Sequence, residues 1–123
     1  MRFGVLPIIA LFWGLSLADK HDYCACQYVH GSKLDSAATA LVAGDCTLGY
    51  VYGQLAGQYW VAQSSGPGPR HEGIYLKAAK GRIDGRHVFN SCKKYGARES
   101  TCFSCEQPLE NKDGSIQCFS PRS

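Results

Sequence analysis

Apolar positions recur at helical spacing in two short stretches of the chain. Leu34, Ala37, Ala38, Leu41 and Val42 make the first; Ser32-Lys33-Leu34-Asp35 opens it in the form of a capping box with Ser32 as N-cap, and Gly44 closes it. The second starts from Asp84 as N-cap and sets Val88, Phe89, Cys92 and Tyr95 on one side. It carries Lys93 and Lys94 in its last turn, where cations suit the helix dipole, and stops at Gly96. Helices this short are marginal alone and need a surface on which to bury their apolar faces. Strands supply it. Residues 23–29, 59–62, 73–78 and 100–104 are alternating, β-branched or aromatic, whereas the glycines and prolines of 64–69 predict a loop. The order β-α-β, loop, β-α-β predicts an α+β fold of the ferredoxin-like split type, with two helices on one face of an antiparallel four-stranded sheet. Asp113-Gly114 predicts a terminal turn, with Cys118 placed to tie down the tail.

The start of the chain changes the setting. Arg2, a largely apolar run from Val5 to Leu15, and the small residues of Ser16-Leu17-Ala18 have the pattern of a secretory signal over residues 1–18. The run is too short for a membrane anchor. The remaining segment, 19–123, is long enough for one domain and hardly for two, and all seven cysteines fall in it: Cys24, Cys26, Cys46, Cys92, Cys102, Cys105 and Cys118. An exported chain of this kind predicts three disulfides, with a secreted, extracellular protein as the product, open to delivery into host tissue. Connectivity does not follow from spacing, and one thiol is left over that is buried and inert, paired between chains, or reactive. Cys24 and Cys26 are read as pointing to opposite faces of their strand, so that they do not bridge each other. Cys92, on the apolar side of the second helix, is a candidate staple to the sheet.

The formal net charge of +3 predicts no particular partner, but its distribution is uneven. Between Arg70 and Arg98 lie eight basic residues against Glu72 and Asp84, while Cys46 to Pro69 carries no charge. That asymmetry suits an acidic protein surface or polysaccharide acid groups, and nucleic acid less well. Arg82, Arg86, Lys93 and Lys94 are the candidate contacts, with Tyr59 and Trp60 beside them as aromatic candidates; Tyr50, Tyr52, Tyr59 and Trp60 read first as sheet and core.

Catalytic readings are thinner. His71, Glu72, Arg82 and His87 have the residue types of a ribonuclease's acid, base and phosphate-holding cation, the set used by small fungal guanyl-specific ribonucleases. If the strand at 73–78 reaches back to His71, however, His71 and Glu72 face opposite sides of the sheet, and His87 falls on the wet side of its helix with Ser91 and Lys94. Cys102-Phe103-Ser104-Cys105 has redox or zinc spacing, but it follows a helix and lacks a second ligand pair at metal spacing, which favours two structural bridges. Asp19, His21 and Asp22 lie where a processed chain frays, and no pattern points to a metal or cofactor.

The layout of CACQ directly after the leader, Ala38-Thr39-Ala40, Gly44-Asp45-Cys46, and Gly81 to Gly85 leading into Val88-Phe89-x-x-Cys92 resembles the small cysteine-rich secreted proteins of fungi, many of them candidate effectors. Within that group it is similar to the killer-toxin-like effectors, whose fold is related to a subunit of a smut-fungus killer toxin. The resemblance implies a virulence or toxin-like protein that binds a host or competitor molecule, with no shared catalytic residues.

Overall fold

The computed structural model describes residues 20–52, 58–63 and 68–122, so the leader reading and most of the 64–69 loop lie outside the described residues. Its elements run β1 (Lys20–His21), β2 (Tyr23–Gln27), α1 (Ser36–Gly44), β3 (Tyr50–Val51), β4 (Lys77–Ala78), β5 (Ile83–Asp84), α2 (Gly85–Lys94), β6 (Glu99–Glu110) and β7 (Ile116–Arg122). The α+β class holds, but among the described residues the strands do not join into one four-stranded ferredoxin-like sheet. The pairing is divided among three antiparallel sheets, β1-β5, β2-β6-β7 and β3-β4. The main departure lies after α2, where the chain builds a long β6-β7 hairpin around the Asp113-Gly114 turn, with register shifts next to Pro108. Pro108 cannot donate to a ladder, and irregular pairing accommodates it.

Single bridges join these pieces. Cys24 pairs with Leu76 on the edge of β2 opposite β6, while Trp60 pairs with both Gly73 and Ile116. Main-chain pairing therefore closes a ring from β2 through β6 and β7 to Trp60, then through residues 73–76 back to β2. Alternation along β2 divides the core between the two sides of this ring. Ala25 joins Leu34, Trp60, Tyr75, Phe103, Cys105, Ile116 and Cys118 in one cluster. Cys24 and Cys26 join Ala38, Val42, Leu76, Ile83, Val88 and Cys92 in the other, beneath the two helices. Residues 59–62 thus contribute one bridging residue and not a strand.

Both helices form, with one start corrected. Asp35, not Ser32, caps α1 by accepting from the Ala38 N–H at 3.0 Å. Leu34 is held extended by its bridge to Gln27, and Ser32 serves the preceding turn, accepting from the Val29 N–H. The buried stripe is Ala38, Thr39 and Val42, leaving Leu41 exposed. Asp84 caps α2 as the sequence predicts, Val88, Ser91 and Cys92 face the core, and Gly96 at φ +94 lets the Ala97 N–H return to the Cys92 carbonyl. Gly73 is the other glycine the fold requires: at φ +140 a Cβ would sit 2.6 Å from Leu34 Cδ1.

Three disulfides fix this arrangement: Cys24–Cys102 across directly opposed residues of β2 and β6, Cys26–Cys92 from β2 to α2, and Cys105–Cys118 across the terminal hairpin. The expected sheet-to-helix staple at Cys92 and the tethering of the tail through Cys118 are both present. The CxxC cysteines serve separate bridges. The reading of Cys24 and Cys26 as opposite-facing is overturned, because residues two apart in a strand share a face; both point beneath the helices and reach different partners. Cys46 is the thiol left over, and it is exposed.

Candidate functional site

Helix α2 brings together the candidate contacts and also sorts them. Arg82, just before it, is engaged with Asp22 at 3.2 Å and with Ser104 Oγ at 2.8 Å. Lys94 pairs with Asp45 at 2.9 Å. Arg86 and Lys93 have no carboxylate partner among the described residues, and both are exposed. Helical geometry puts residues 86, 89, 90 and 93 on one stripe. Lys93 Nζ lies 5.3 Å from the centre of the Phe89 ring, so the stripe is a half-buried aromatic with a cation at either end. Beside it opens a cleft of about 760 Å³, lined by His21, Arg86, Phe89, Asn90, Glu99 and Ser100 among others. The i, i+3, i+7 spacing of Arg86, Phe89 and Lys93 is a signal for this face; assigning Phe89 wholly to the core conceals it.

Asp45 fixes the far end of the helix. Hydrogen bonds from Thr47, Tyr95 and Lys94, in that order of weight, hold its carboxyl far below the usual carboxylate range, and the same contact raises the Lys94 ammonium. A folded-state value below the unfolded one gives stability that is complete above the unfolded value and lost as pH falls through the folded one. Thermal midpoints of the wild type should therefore fall more steeply than those of Asp45→Asn as the medium is acidified from about pH 4 downward. Parallel curves would remove Asp45 from the acid response.

The aromatic candidates part company. Trp60 is buried at 2 % exposure among Tyr23 and Phe103 and offers no surface to a partner, whereas Tyr59 is 44 % exposed and its hydroxyl donates to Glu72 Oε2 at 2.6 Å. That bond, ahead of burial, raises the Tyr59 hydroxyl.

The acid and base candidates are dispersed. His87 is exposed on α2 with Nδ1 in contact with the Tyr50 hydroxyl, and Tyr50 is pushed up to about 12, mainly by burial and then by the charge of Asp84. Ser91, expected on the wet side with His87, is buried and donates to the His87 carbonyl. His71 and Glu72, expected to face opposite sides, instead line one shallow cleft of about 230 Å³ with Lys33 and Arg70, because the chain is irregular there and β4 starts only at Lys77. Neither His87 nor Arg82 lines that cleft, so the four groups do not form one site. Among the described residues no helix is long and apolar enough to cross a membrane, and no cluster of His, Cys, Asp and Glu has metal-holding geometry.

No protein-family model matches this chain, and no curated protein or solved structure matches it.

Proposed function

We propose that this is a secreted protein of the fungal effector or toxin-like kind that acts by binding, and that the Arg86-Phe89-Lys93 stripe of α2 is its contact face for an acidic surface on a host or competitor protein. The carrying observation is the division of labour among the cations. Arg82 and Lys94 are paired within the fold, while Arg86 and Lys93, without carboxylate partners among the described residues, stand on either side of an aromatic ring, and Arg86 and Phe89 line the cleft beside it. Cations free to pair around an accessible ring suit a partner that presents carboxylates around an apolar residue, since rim charges steer and orient such encounters. Three disulfides support passage through an oxidising compartment.

Immobilised polyglutamate serves as the acidic probe. Arg86→Glu/Lys93→Glu should weaken salt-sensitive binding roughly tenfold, equivalent to about 1.4 kcal/mol, while Lys80→Glu/Lys112→Glu, with the same change in charge, should bind as the wild type does. Equal loss in both variants would reduce the stripe to general charge. The ribonuclease alternative is tested on single-stranded RNA: cleavage that disappears in His71→Ala and His87→Ala would replace the binding reading.

A further inference from the structure

A second cleft lies away from the α2 stripe. Tyr28, Lys33, Ser36, Tyr59 and Glu72 line a depression of about 320 Å³ whose floor includes Leu34 and Gly73. Lys33 and Glu72 also line the adjoining cleft that holds Arg70 and His71, so the two depressions meet. Tyr28 and Tyr59 are 47 % and 44 % exposed, and they belong to segments brought together only by the fold. From these groups we infer that the tyrosine cleft is a binding site for a neutral oligosaccharide.

The chemistry of the lining argues for that class. An aromatic ring has an electron-rich face that attracts the polarised C–H groups of a sugar ring, and two exposed tyrosines in one cleft provide two such platforms. Hydroxyl groups around a sugar need donors and acceptors at the edge. Glu72 Oε2 is occupied by the Tyr59 hydroxyl, which fixes the carboxylate and leaves Oε1 without a partner among the described residues. Lys33 Nζ lies 5.9 Å from the centre of the Tyr28 ring and supplies donors to the same cleft. In the tyrosine cleft itself one cation and one carboxylate balance, which favours an uncharged unit between the two rings, while Arg70 in the adjoining cleft adds donors for hydroxyl groups further along. The cleft volume is at the lower limit for ligand sites, of order 300 Å³, so a single sugar unit would occupy it and further units would run into the adjoining cleft. Among the described residues Glu72 is the only carboxylate in either lining, whereas glycosidic hydrolysis uses a pair. The inference is accordingly one of binding.

Calorimetric titration of the oxidised protein with chitohexaose, cellohexaose and laminarihexaose tests the inference. At least one should bind, and Tyr28→Ala, Tyr59→Ala and Glu72→Gln should each weaken it roughly fivefold or more, with circular dichroism unchanged. Tyr59→Phe, which keeps the ring, should retain more affinity than Tyr59→Ala. Arg86→Glu/Lys93→Glu should bind the sugar as the wild type does, which separates this site from the α2 face. The inference is overturned if none of the three probes binds at millimolar concentration, if binding is indifferent to the two tyrosines, if the probe is cleaved, or if an oligonucleotide displaces it from the same residues more tightly.

Discussion

Replacing Cys26 and Cys92 together by alanine should lower unfolding stability by more than roughly 3 kcal/mol: with Cys24–Cys102 intact, their bridge closes a further loop of two residues on one side and ten on the other, worth roughly 3 kcal/mol of closure entropy, and packing adds to it. The Cys105–Cys118 pair, 13 residues apart, should yield roughly 3 kcal/mol by the same argument. Packing makes the difference. Cys26 and Cys92 are both fully buried between β2 and α2, so the double replacement also opens a void beneath the helix. Against a total stability of about 5–15 kcal/mol, such a loss removes a large share of the margin against unfolding. Denaturant titration of the two double variants under non-reducing conditions gives the comparison, and a larger loss for the terminal pair would contradict the ranking. The proposed contact face would be affected too, since the Arg86-Phe89-Lys93 stripe is presented by a helix held at Cys92 and, at its far end, by Asp45.

Trp60→Ala should cost about 3–5 kcal/mol, the range for deleting a buried large aromatic. The Trp60 ring lies 4.8 Å from Tyr23 and 5.1 Å from Phe103 between centroids. Its backbone exchanges two hydrogen bonds with Gly73, and its neighbours Tyr59 and Val61 bond to Ile116. The side chain thus anchors the short segment through which the ring of strand pairing closes. Trp60→Phe, which keeps an aromatic in the cluster, should lose less. Tyr59→Ala, at an exposed position, should change stability by no more than about 0.5 kcal/mol. Chemical unfolding of the three variants measures this directly, and similar losses at 59 and 60 would refute the division of one residue to the surface and the next to the core.

Local rules account for what is legible in the sequence. Asp84, the apolar spacing of Val88 and Cys92, and Gly96 define α2 within one stretch of chain, and Asp113-Gly114 marks its turn without outside help. Cys92 reads as a staple because it shares a face with Val88. The structure departs from expectation where local signals compete with distant pairing. Ser32 and Asp35 are both good caps, and the bridge of Leu34 to Gln27 decides between them. His71 and Glu72 would be separated only by a strand reaching back to them, and β4 does not. The irregular chain sets both in one cleft with Lys33, which is 38 residues before His71 in a segment that only the fold brings near.

By itself the sequence determined the α+β class, the second helix with its caps, the terminal turn and a cysteine content sufficient for three bridges. The tertiary structure alone decided which sulfurs meet, that the sheet is divided and joined again through Trp60, and which of the candidate basic residues pair with carboxylates. The reason is range: caps and helical periods act over a few residues, whereas strand partners and counter-ions are chosen by contacts between segments tens of residues apart, and a single sequence carries no record of those choices.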